Sequence, residues 1–196
     1  MGDLVGRRRR ADRWGPAALA FVGGLAAASG AQAQELRVGA GYAPNGPEHG
    51  ASLIAEYLFK PLKVLSFVGS PRPYISGQLS LEDVTNFAQA GLIWRWEGKR
   101  TYFDLGGGLA VHDGALTLPR PSPAVPEEEN IRRRHERDEH AEWGYRTIFH
   151  ATFAVGWRLN SRWAVEFEGQ HWSNGHVGSN THDGANSLGL RAAYTF

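Results

Sequence analysis

Alternation constrains this chain more than any other feature. In the C-terminal stretch SLGLRAAYTF, Leu188, Leu190, Ala192, Tyr194 and Phe196 alternate with Gly189, Arg191, Ala193 and Thr195. Side chains on a β-strand point to opposite faces with period 2, so one face of this segment suits hydrocarbon and the other a polar interior. Similar stretches, rich in aromatic and β-branched residues and separated by turn signals, give eight expected strands: 35–43, 51–59, 72–82, 85–96, 101–112, 145–158, 162–173 and 186–196. The stretch 51–68 leaves room for a longer or bulged strand, or for a short helix.

Eight antiparallel strands of about ten residues close into the smallest common outer-membrane barrel, with both termini in the periplasm. The expected fold is therefore all-β, an eight-stranded antiparallel transmembrane β-barrel. A chain ending in Tyr194 and Phe196, aromatic at the last position and at −2, is similar to the terminal strand of outer-membrane proteins. An amphipathic strand of a soluble β-sandwich is the competing reading. The links 97–100 and 159–162 are short, as periplasmic turns are, whereas 60–71 is longer than such a turn should be. At about 113–143, the segment LPRPSPAVPEEENIRRRHERDEH is expected to form a long charged extracellular loop, because prolines and dense mixed charge disfavour a packed strand. Its Arg132, Arg133 and Arg134 could meet lipopolysaccharide phosphates, or pair with carboxylates of the loop itself.

Residues 1–33 have the form of a cleaved signal peptide: five arginines, an apolar stretch from Ala17 to Ala28, and Ala31-Gln32-Ala33 as cleavage site. The barrel domain is then 34–196. The apolar stretch is too short to span a bilayer, and no later segment supplies the roughly 20 apolar residues of a spanning helix. Removing the signal changes the formal charge from +1 to −2, so no nucleic-acid partner is implied. Without cysteine, the exported chain has neither disulfides nor thiolate chemistry.

The seventh expected strand, RWAVEFEGQHWS, places Glu166, Glu168 and Gln170 on one face and Trp163, Val165, Phe167, Gly169, His171 and Ser173 on the other. Charge on a lipid face is costly, so the glutamates belong in the lumen and His171 and Ser173 on the outside, near the extracellular end. Residues two apart on a strand lie roughly 6.5–7 Å apart, which imidazole and hydroxymethyl groups can span. Histidine can take the proton of a serine nucleophile, so the pair permits acyl transfer. A polar pair meeting lipid headgroups is the plainer alternative.

HWSNG at 171–175, followed by DGANSLGLRAAYTF at the chain end, resembles the PagL-type lipid A 3-O-deacylases, esterases of the outer membrane whose active site lies on the outer wall of an eight-stranded barrel. The close match covers about the last 26 residues; the glycine-rich FDLGGGLAVHDG at 103–114 is consistent with it. The resemblance implies His171 as general base, Ser173 as nucleophile, and Asn174 with Gly175 as suppliers of oxyanion-hole donors. It also calls for a glutamate after the Asp-Gly pair, where this chain has Asn186. Asn186 could still orient the imidazole; Asp183 is the alternative acid, although an Asp-Gly pair is ordinarily a turn. His176, His182 and Asp183 lack regular ligand spacing, so no metal is expected, and no cofactor is implied.

The expected function is hydrolysis of an ester-linked 3-hydroxy fatty acyl chain of lipid A in the outer membrane. A non-catalytic barrel, structural, adhesive or an inactive relative of the deacylases, competes with it, and the Asn186 departure is the feature in its favour. A narrow pore fits less well, because eight-stranded interiors are filled by side chains. The chain could also act as a homodimer.

Overall fold

The computed structural model describes residues 33–82, 84–175 and 184–196. All eight expected strands form: β1 Ala33–Ala43, β2 Gly50–Phe59, β3 Arg72–Ser80, β4 Phe87–Glu97, β5 Thr101–His112, β6 Thr147–Arg158, β7 Trp163–Ser173 and β8 Gly184–Thr195. Each pairs antiparallel with its neighbour in sequence, and β1 closes on β8 with Glu35 opposite Thr195 and Tyr42 opposite Leu188. This is one closed sheet, not the two layers of a sandwich. Closure pairs the backbone donors and acceptors of the wall with one another, which hydrocarbon requires.

Strand parity sorts the side chains. Val38, Leu53, Leu105, Leu109, Val155, Val165 and Leu190 stand exposed on the outer face. Inside, one half of the lumen holds an ionic network: Arg37 donates to Glu35 (2.6 Å), Glu56 (2.7 Å) and Asp104 (2.5 Å), and Arg191 pairs with Glu166 at 2.9 Å. Buried charge persists only where it is paired and hydrogen-bonded, and here each guanidinium faces several carboxylates. The other half is aromatic and amide-rich. Phe87 stacks on Trp172 with centroids 4.4 Å apart, and the Trp172 indole N–H donates to Gln89 at 2.8 Å.

Between β2 and β3, the short-helix option is the one that forms. The strand ends at Phe59, and a 3-10 turn spans Lys63–Val68, closed by Gly69 at φ +93°. Its last carbonyl, that of Val68, accepts from the Trp94 indole at 2.7 Å, which occupies the unexpected length of this link.

The long link between β5 and β6 contains a helix the sequence reading did not anticipate, α1 at Glu127–Glu139. Its signal is charge spacing rather than an apolar stripe. Acidic residues fill the first turn, and Glu129 pairs with Arg132 and Arg133 at 2.8 Å, three and four residues on. Arg134 pairs with Glu127. The three arginines considered for phosphate binding thus all have carboxylate partners within the loop, and Arg132 and Arg133 hold Glu129 down to a pKa of about 2.

A candidate active site on the outer wall

The outward residues of the strands are apolar over most of their length, and one polar cluster interrupts them near the end of the barrel opposite the termini. It is built by register. His171 on β7 lies opposite Asn186 on β8 and Ala151 on β6; two residues on, Ser173 lies opposite Gly184 and Phe149. His171 and Asn186 share the outward face with Ser173, which is half-buried, while Trp172 between them turns inward and is 1 % exposed.

His171 Nδ1 lies 2.8 Å from Asn186 Oδ1. An amide oxygen only accepts, so the imidazole carries its proton on Nδ1 and presents the Nε2 lone pair. Among the described residues Nε2 has no hydrogen-bond partner. This is the tautomer a general base for a neighbouring hydroxyl needs. Gly184 keeps the adjacent wall clear: a Cβ there would stand 3.4 Å from His171 Cε1 and 3.7 Å from Ser173 Cβ, so one small residue borders both groups.

The Asn174 side chain does not join this cluster. Asn174 is 4 % exposed, and its Nδ2 donates inward to the Trp143 carbonyl at 3.3 Å. Oxyanion stabilisation at this point of the chain would therefore fall to backbone N–H groups. Gly175 adopts φ +63°, a left-handed conformation that turns the chain off the strand end and that glycine takes without a steric penalty. Asp183, His176 and His182 lie outside the described residues.

Below the cluster, toward the middle of the wall, Tyr42, Phe167, Leu188 and Leu190 flank a shallow apolar groove of about 350 Å³ whose floor is Gly41 and Gly189. An open apolar surface beside a histidine, a hydroxyl and an amide suits a substrate that stays in the leaflet while one polar bond reaches the cluster.

The family model described as lipid A 3-O-deacylase (PagL) matches residues 75–195. Among curated proteins none is significantly similar in sequence. The crystal structure of the outer membrane enzyme PagL superposes with a TM-score of 0.54 at 11% identity, covering 81% of this chain and 97% of that one. The N-terminal β-barrel domain of Pseudomonas aeruginosa OprF gives a TM-score of 0.50 at 9% identity over 84% of this chain and 99% of that one. A de novo designed transmembrane β-barrel also gives 0.50, at 10% identity, with 84% and 95% covered. At these identities the structural likenesses establish the barrel fold.

Proposed function

Because this chain belongs to the lipid A 3-O-deacylase (PagL) family, a family of outer-membrane hydrolases acting on lipid A, we propose that it is itself a serine esterase that removes an ester-linked 3-hydroxy fatty acyl chain, the one at position 3, from lipid A. The observation that carries the reading is the His171–Asn186 hydrogen bond beside Ser173 on the outward face of β7 and β8.

In this mechanism Ser173 Oγ attacks the acyl carbonyl as His171 Nε2 takes its proton. Serine is a weak nucleophile until a base does so. The oxyanion of the tetrahedral intermediate is met by backbone N–H groups around Asn174 and Gly175. Collapse breaks the ester bond, and His171 returns the proton to the departing sugar oxygen. Water, deprotonated by the same imidazole, then hydrolyses the acyl-serine and frees the 3-hydroxy fatty acid. Asn186 holds the ring in the required tautomer throughout. Residues 1–33 act as the export signal in this reading, and the end carrying the long loop faces outward.

One observation favours a second reading, an inactive relative: Asn186 stands where the family motif has a carboxylate, and an amide stabilises imidazolium less than a carboxylate does. The two readings separate in one experiment. The purified barrel is folded in detergent and incubated with lipopolysaccharide, and lipid A is read by mass spectrometry beside a Ser173→Ala control. Loss of one 3-hydroxyacyl unit in the wild type alone supports the esterase. Intact lipid A in both samples, with the barrel folded by circular dichroism, overturns it.

A further inference from the structure

Two neighbouring loops meet the buried carboxylate of a third at the end opposite the termini, and Trp143 links the residue that follows β7 to them. Glu48, in the β1–β2 loop, is 6 % exposed. Its Oε2 accepts from the backbone N–H of Thr85, in the β3–β4 loop, at 2.8 Å. Its Oε1 accepts from the Thr85 hydroxyl and from the N–H of Ala141, in the β5–β6 loop, both at 2.9 Å. Thr85 Oγ in turn accepts from the Trp143 indole N–H at 3.1 Å. The chain of contacts ends at the Trp143 carbonyl, which accepts from Asn174 Nδ2 in the β7–β8 loop, one residue past Ser173.

Packing reinforces the same path. Trp143 is fully buried and meets Phe87 edge to face at 5.4 Å, while Phe87 stacks on Trp172, the residue between His171 and Ser173. A Cβ at Gly114 would fall 2.3 Å from Thr85 Oγ, so the start of the long loop passes this hub only as glycine. A pocket of only about 20 Å³ adjoins the hub, bordered by Glu48, Thr85, Phe87, Trp172 and Asn186.

We propose that Glu48 is a positioning residue that fixes the end of β7, and with it Ser173 and the amides after it, through Thr85, Trp143 and Asn174. This inference rests on the esterase reading for its catalytic consequence, but the physical linkage stands apart from it. Glu48 suits the role because a carboxylate only accepts hydrogen bonds, and three donors from two other loops reach it. A glutamine side chain in its place would turn an amide NH₂ toward an N–H or an O–H and lose part of the hub while keeping its shape.

The test is a double-mutant cycle with Glu48→Gln and Asn174→Ala, read by lipid A deacylation. Glu48→Gln is expected to lower kcat by about ten- to a hundredfold with KM within about twofold, the pattern of a displaced reacting group. In the Asn174→Ala background the same substitution should cost almost nothing further. Thr85→Ser, which keeps the hydroxyl, should leave the rate unchanged, and Thr85→Val should not. Additive losses, or an unchanged kcat in folded Glu48→Gln, would overturn the proposal. A second readout is independent of turnover: the backbone amide signals of Asn174 and Gly175 in nitrogen-15-labelled protein should move in Glu48→Gln, with those of Ala192 and Ala193 at the other end still. If the wild type releases no fatty acid, the esterase reading fails alone, and stationary Asn174 and Gly175 signals would refute the linkage as well.

Discussion

His150 and His171 sit on neighbouring strands, yet the barrel uses them oppositely. Ala151 is the residue opposite His171, so His150, one position away, points to the other side of the wall. It is 3 % exposed and bound on both ring nitrogens, at 2.7 Å to the Tyr74 hydroxyl and 3.1 Å to Gln170 Oε1. Because that amide oxygen only accepts, Nε2 donates and Nδ1 accepts from the tyrosine, which leaves the ring no free lone pair. His171 faces out, with Asn186 on one nitrogen and the other without a partner among the described residues. Strand parity thus separates a brace from the base of the proposed mechanism, and what sets His171 apart is a ring nitrogen with no partner among the described residues.

The sharpest way to break that division is His171→Gln. Deacylation should fall about a thousandfold or more, since removing the base of a serine–histidine pair costs nearly as much as removing the nucleophile. Because His171 is exposed and its one described side-chain partner is Asn186, the barrel should fold as before, measured by its gel shift on heating and by circular dichroism. A His171→Gln protein that still releases fatty acid would end the distinction between the two histidines.

His150→Ala should do the reverse. It strands the Tyr74 hydroxyl in a buried site, whereas Gln170 Oε1 keeps its bond from Gln89 Nε2 at 2.8 Å, and leaving a buried polar group unpaired costs about 1–3 kcal/mol. Unfolding in urea, followed in detergent micelles, should shift to lower denaturant by that amount, while turnover below the transition stays near that of the wild type. Turnover that collapses while the barrel remains folded would give His150 a part in the chemistry.

The strands and the facing of β7 were legible in the sequence because both rest on one signal, period 2, and on the cost of putting Glu166 or Glu168 against lipid. Strand ends came within about two residues of 72–82 and 186–196; β3, for example, ends at Ser80, still opposite Ser52 of β2, where its hydroxyl donates to the Glu82 carbonyl at 2.7 Å and its N–H donates to the Asn86 side chain. The resemblance of HWSNG supplied roles for His171 and Ser173, and register then put Asn186 opposite His171. The inward turn of Asn174 and the hub at Glu48 were not legible. They depend on Trp143 being folded down onto Phe87 by a loop whose helix, held by Glu129, Arg132 and Arg133, has no apolar periodicity to announce it. Glu48 sits among turn residues in PNGPEHG, where a carboxylate reads as solvated; only the convergence of the neighbouring loops buries it.

The smallest expected change bears on what the free nitrogen of His171 is worth with an amide behind it. A hydrogen bond to a charged partner contributes about 1.5–3 kcal/mol against about 0.5–1.5 for a neutral one. Asn186→Glu should therefore stabilise the imidazolium that forms as Ser173 attacks by about 1 kcal/mol more, which is a gain of roughly five- to tenfold in kcat. The geometry is already in place, since Asn186 Oδ1 is 2.8 Å from Nδ1 and a glutamate side chain is only one methylene longer, at a position near the start of β8. Asn186→Ala, which leaves the ring without an orienting partner, should fall below the wild type. Rates in the order glutamate, asparagine, alanine would show that Asn186 works as a weaker orienting group and that His171 differs from His150 in degree of support as well as in facing. Equal rates for all three would mean that the ring is aligned by its packing between Ala151 and Gly184 instead, and the contrast between the two histidines would then rest on exposure alone.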